Sequence, residues 1–135
     1  MFHIAALGTM SILILNGGRV VIQPSTSFDA DEILTALEQR RITLSFMVPT
    51  QWQLVVDQAK KKTYELDALR ILGWGAAPAT IKLLTDMNEV FPKASAVAFF
   101  GQTEMAPVTC TLEARYARKK VGSIGKPCLL YTSPS

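Results

Sequence analysis

The chain has 135 residues, enough for one domain with a modest core and little room for a second. An apolar fraction of 49% and a charged fraction of 19% exclude a disordered tail, and a net charge of +3 is small. Two cysteines, Cys110 and Cys128, are too few and too far apart for a disulfide framework or a structural zinc site, which points to a reduced, cytoplasmic protein. The basic residues gather in Lys60-Lys61-Lys62 and from Arg115 to Lys120. No RNA-binding signature, zinc spacing or arginine-rich helix accompanies them, so they read as solvated clusters and no nucleic-acid partner is expected.

The apolar run from Ile4 to Leu15 is interrupted by Gly8, Thr9 and Ser11. It is too short to span a bilayer, and no basic region precedes it as in a signal peptide. It is expected to be a buried helix, stopped at Asn16-Gly17-Gly18, where glycine takes the left-handed cap. Arg19 to Gln23 is a short β-branched run before Pro24 and is predicted to be a buried strand. Asp29 is placed to cap the next helix, with Glu32 at capping-box spacing. Leu44 to Val48 is a second strand, and Pro49 starts a helix that runs into the lysines. Leu69 to Trp74 is a third strand. Ala79 to Phe91 is a helix with Ile81, Leu84, Met87 and Phe91 on its apolar face, and Ala96 to Phe100 is a fourth strand. Strands alternating with helices predict an α/β fold with a mainly parallel sheet flanked by helices. Ligands of such sheets sit beyond the carboxyl ends of the strands, which nominates Val48-Pro49-Thr50, Trp74 to Pro78 and Phe100 to Glu104.

Three segments have a composition suited to chemistry. Gly75-Ala76-Ala77-Pro78 follows a strand with small residues that let a flat ligand or another backbone approach; by itself it reads first as a tight strand-to-helix turn. Phe100-Gly101-Gln102-Thr103-Glu104 offers an aromatic face, a glycine, a hydroxyl for a phosphate and a hard carboxylate for magnesium. In isolation, Thr103 reads as the cap of a following helix. Gly122-Ser123-Ile124-Gly125-Lys126-Pro127 is glycine-rich and basic but lacks the spacing of a Walker phosphate loop.

In order, these segments resemble the adenylate-forming enzymes, especially fatty-acyl- and aryl-CoA ligases. Phe2-His3 is similar to the end of the family's Pro-Leu-Phe-His motif, and Asn16 to Val21 to its Gly-Gly-x-x-Val turn. Phe46 to Thr50 matches its aromatic-x-Val-Pro-Thr segment, and Leu69-Arg70 leads into Gly75-Ala76-Ala77-Pro78 as in the family. Phe100 to Glu104 matches Tyr-Gly-x-Thr-Glu with phenylalanine for tyrosine, and Gly122 to Pro127 matches Gly-Ser-x-Gly-Lys-Pro. The likeness covers nearly everything from Phe2 to Pro127.

The resemblance implies a piece of the family's N-terminal AMP-binding domain over residues 1–127, with 128–135 as an artefactual or disordered tail. It implies an enzyme that uses ATP and magnesium to turn a fatty or aryl acid into an acyl-adenylate, releasing pyrophosphate, before coenzyme A displaces AMP. It assigns Glu104 to magnesium, Thr103 to the α-phosphate and Phe100 to adenine stacking, with Thr103 and Glu104 as the catalytic pair. Gly75, Ala76, Ala77 and Pro78, with Gly101, line the nucleotide site. His3, Trp74 and Gly75 border the acyl substrate. The family's phosphate loop is expected upstream of Met1, and its ribose-binding aspartate, hinge and C-terminal lysine beyond Pro127. An internal fragment inactive by itself is therefore expected. An amino-acid-activating or luciferase-like enzyme lies within the same superfamily. From another class, a small self-standing α/β binding module would use the same glycine loops only as turns.

Overall fold

Residues 4–23, 27–105 and 108–127 are described in this computed structural model. Helix α1 (Ile4–Leu15) ends as its sequence requires: Gly17 adopts a φ of 74° and the Gly18 amide donates to the Leu13 carbonyl at 2.7 Å. Asp29 caps α2 (Ala30–Gln39), its carboxylate accepting from the Asp31 and Glu32 amides. Pro49 opens α3 (Pro49–Ala59) where its missing N–H costs nothing, and Thr80 caps α4 (Ile81–Val90) by accepting from the Leu83 amide.

Between these helices run β1 (Leu44–Met47), β2 (Ile71–Gly75) and β3 (Ser95–Phe100), all parallel, with Met47, Trp74 and Ala98 in register across the sheet. A 3-10 turn at Thr103–Met105 leads to β4 (Cys110–Leu112), α5 (Ala114–Ala117) and β5 (Lys126–Pro127). β4 pairs antiparallel with β3, and β5 antiparallel with β4, so the sheet is mixed, in the order β1-β2-β3-β4-β5.

Alternation along the strands separates two faces. Met47, Leu72, Trp74, Ala96 and Ala98 point toward α3 and α4 and join Leu34, Trp52, Val55, Leu84 and Met87 in the core. Trp52 ties the two layers together. It is fully buried, donates from Nε1 to the Gly73 carbonyl at 2.8 Å, and sets its ring edge-on to Phe91 at 6.1 Å. Behind the core, Asp86 on α4 binds Lys60 at 3.1 Å and Lys82 at 2.7 Å, stapling the end of α3 to α4.

Three expectations are corrected. Arg19 to Gln23 is extended and largely exposed and belongs to no strand, because no neighbour pairs with it; Arg19 instead donates to the Arg40 carbonyl. The parallel part of the sheet therefore has three strands. Helix α1 is not buried all round: Ile12 and Ile14 are half exposed and Leu15 is 85% exposed. On α4, Ile81 sits at the first helical position and is exposed, and Leu83 takes its place in the core beside Leu84 and Met87.

Two of the three exposed lysines in the run are paired, Lys60 with Asp86 and Lys62 with Asp31. Lys62, with Tyr64 and Gln58, surrounds Asp31 on α2, and the hydrogen bonds from Lys62 and then Tyr64 hold that carboxyl at about 2, below its usual 3.8. A folded-state pKa below the unfolded value contributes stability above the unfolded value, and that contribution is lost as pH falls toward the folded one. The part of the acid-induced fall in Tm due to Asp31 should therefore lie between 3.8 and about 2. Asp31→Asn should melt lower than the parent at neutral pH, with the difference closing across that window; a difference independent of pH would contradict this origin.

Candidate functional site

On the sheet face away from the core, β2 carries no side chain beyond Ile71 at its start. Gly73 and Gly75 point there, between Phe46 of β1 and Phe99 of β3. A Cβ on Gly73 would meet the Phe99 ring at 2.9 Å and the Phe46 ring at 3.3 Å. A Cβ on Gly75 would meet the Phe99 carbonyl oxygen at 2.2 Å, a backbone atom that no rotamer change can move. The two rings thus close over β2, 6.2 Å apart and tilted by 57°.

Above them α1 completes a cavity of about 400 Å³. Ile12 and Leu13 of α1, Leu44 and Phe46 of β1, and Phe99 form its apolar wall. Ala76, Phe100, Gly101, Gln102 and Thr103 line it from the carboxyl edge of the sheet. None of the described lining residues is charged.

That edge brings together most of the residues nominated from the sequence. Gly75 is buried as the last residue of β2, and Ala76, Ala77 and Pro78 follow it exposed. Ala76 has a φ of 63°, a left-handed conformation that costs an L-residue about 1–2 kcal/mol. Such strain at a cavity rim turns the chain sharply and exposes backbone groups. Phe100 ends β3 as a residue 37% exposed. Thr103 opens the 3-10 turn, and Glu104 follows it, exposed. Thr103 lines the cavity; Glu104 stands next to it in the chain without lining it.

Two nominated residues lie elsewhere. Trp74 alternates with the two glycines, so its side chain is in the core on the other face of β2, where Nε1 is buried and unpaired. His3 lies outside the described residues. Gly122 and Gly125, in the third glycine-rich segment, have φ of 87° and 91°, and a Cβ on Gly125 would strike the Thr111 carbonyl at 2.0 Å. That segment lets β5 close against β4.

Sequence reasoning missed Gly73, Phe46 as a lining ring, Phe99, and the cavity face of α1. A Gly-x-Gly spacing inside a strand was the available signal, since residues i and i+2 share a face.

The sequence model of a family described as "AMP-binding enzyme" matches residues 1–133. A feruloyl-CoA synthase of Amycolatopsis sp is 35% identical over 131 residues, covering 94% of this chain and 25% of that protein. The chain spans about a quarter of the length of the curated relatives it matches. Among solved structures, the inhibitor-bound N-terminal domain of FACL13 from Mycobacterium tuberculosis superposes with a TM-score of 0.86 at 22% identity, covering 96% of this chain and 31% of that one. O-succinylbenzoate coenzyme A synthetase from Bacillus subtilis, in complex with ATP and magnesium, gives 0.79 at 23% identity, covering 95% of this chain and 26% of that one. At these identities the structural likeness establishes the fold.

Gly75→Ala should lower stability by about 1–3 kcal/mol, the usual range for overpacking against an immobile neighbour. Denaturant unfolding reads this directly, and a variant as stable as the parent would show that β2 and β3 do not approach this closely.

Proposed function

Because the chain belongs to the AMP-binding enzyme family, we propose that the edge formed by residues 75–78 and 100–104 holds an adenine nucleotide and serves the activation of a fatty or aryl acid. The acid becomes an acyl-adenylate with release of pyrophosphate, and coenzyme A then displaces AMP to form the thioester.

The observation that carries this reading is the continuity of the cavity. Thr103 and Ala76, from the two loops suited to a nucleotide, line the same cavity as the apolar wall of Phe46 and Phe99. An acid buried in the cavity would therefore have its carboxylate at the loops, beside the α-phosphate it must attack. Proximity of this kind is the main resource of a reaction that needs little covalent help from the protein. The relatives named as CoA synthase and CoA ligase, and the neighbour that holds ATP and magnesium, support the same reading.

Each residue has a defined task. The exposed Phe100 ring stacks on adenine, and its lack of a hydroxyl leaves that position without a hydrogen bond. Gly75 through Pro78 and Gly101 present backbone without bulk along the nucleotide. Thr103 donates its hydroxyl to an α-phosphate oxygen. Glu104 supplies one oxygen ligand to magnesium. Among the described residues no group of three His, Cys, Asp or Glu is placed to hold a metal ion. A single carboxylate fits magnesium, which is commonly held by one or two carboxylates plus substrate phosphates. When bound, the ion offsets the phosphate charge that develops during the reaction. Trp74 acts from the core side by fixing β2, and His3 is assigned to the acyl channel by its motif. A cytoplasmic setting fits the few cysteines, and no helix among the described residues is long and apolar enough to cross a membrane.

In the full-length polypeptide, Glu104→Gln should slow acid-dependent ATP–pyrophosphate exchange by about 100-fold, the scale of losing one charge-stabilising group. It should also raise the magnesium concentration for half-maximal rate, while leaving Tm near the parent's because the side chain is exposed. Exchange at the parent rate in the folded variant would remove Glu104 from the site.

A further inference from the structure

Resting on the ligase reading, we infer that the acid this cavity takes is an aryl monocarboxylic acid, and neither a fatty acid nor a dicarboxylate. Three features of the wall lead there. The first is the aromatic corner. Phe46 and Phe99 meet at 57° with centroids 6.2 Å apart, and both rings line the cavity. A flat ring entering that corner gains edge-to-face or offset contacts with two partners, whereas an alkyl chain of equal area gains burial alone.

The second feature is shape. Both rings pack over the backbone at Gly73, Phe99 at 2.9 Å and Phe46 at 3.3 Å from the absent Cβ, and Phe46 also lies 3.2 Å from the absent Cβ of Gly75. The corner is therefore seated directly on the backbone of β2 and presents two flat aromatic faces. The cavity, at about 400 Å³, is near the small end of the range for ligand pockets, which disfavours a long acyl chain.

The third feature is polarity. Thr9, Gln102 and Thr103 are the polar side chains of the described lining. Thr9 donates its hydroxyl proton to the Ala5 carbonyl within α1 at 2.8 Å. The remaining side-chain donors, Gln102 and Thr103, both stand at the strand-end edge, where one carboxylate is to react. A second carboxylate would lie against Leu44, Phe46, Phe99 and Leu13 with no described counter-charge, and an unpaired buried carboxylate is strongly disfavoured.

The test is equilibrium binding to the purified full-length polypeptide by calorimetry, with cinnamate, decanoate and 4-carboxycinnamate as probes. Cinnamate should bind about tenfold or more tighter than either of the others, as two ring contacts and one avoided buried charge require. Phe46→Leu, checked for folding by circular dichroism, should bring cinnamate and decanoate closer together. Decanoate or 4-carboxycinnamate binding as tightly as cinnamate, no binding of cinnamate, or an unchanged ratio in folded Phe46→Leu would each overturn the inference. The wild-type ratios decide the matter even where the variant does not fold. Pyrophosphate exchange separates this inference from the ligase reading. Exchange supported by decanoate and not by cinnamate overturns the aryl assignment alone, whereas cinnamate binding without exchange by any acid overturns the ligase reading alone.

Discussion

From Leu72 to Gly75, β2 has side chains on one face and none on the other, and the rest of the structure depends on that asymmetry. Leu72 and Trp74 point into the core, while Gly73 and Gly75 leave the opposite face bare. The bare stretch admits two phenylalanine rings from the flanking strands, Phe99 within 2.9 Å and Phe46 within 3.3 Å of where a Cβ on Gly73 would stand. The Gly73 carbonyl is in turn held by the buried Trp52 indole. The same residue therefore connects the helical layer to the sheet and makes room for the cavity. Glycine interrupts strands at a cost in chain entropy, so two of them in the five residues of β2 call for a compensating contact. The contact here is the approach of Phe99 and Phe46.

Function follows from where the strands stop. Three parallel strands end at one edge, and the loops leaving β2 and β3 meet the cavity there, a placement common to open α/β sheets. Ala76, held at positive φ, turns the chain immediately after β2, so the small residues of the loop stay at the rim. Apolar wall and polar edge are thus adjacent by construction. The ion pairs of Asp31 and Asp86 stand behind the core and serve to fasten helices.

Much of this was legible in the sequence, for identifiable reasons. The parallel core showed itself because its strands alternate with helices, and Asp29 and Pro49 marked helix starts through local chemistry. The loop motifs were legible because composition alone sets them apart. Arg19 to Gln23 was misread because a β-branched run reports the propensity of a strand and not the presence of a partner. β4 and β5 were missed because three and two residues are too short to show a period. The exposure of α1 was misjudged because an apolar run tells that a helix seeks cover without telling how much it finds. The aromatic corner went unseen because it is made by register: Phe46, Gly73 and Phe99 come together only once the strands are aligned.

The account stands or falls on the carboxyl edge of the sheet being the nucleotide site and the cavity behind it the acid site. A crystal structure of the protein with AMP bound tests this most directly. The account predicts adenine against the Phe100 ring and the backbone of Gly75 to Ala77, with the phosphate within hydrogen-bond reach of the Thr103 hydroxyl and the cavity beyond it open to an acid. AMP bound elsewhere, for instance in the groove between Tyr64 and Lys93 near the amino ends of β2 and β3, would contradict it.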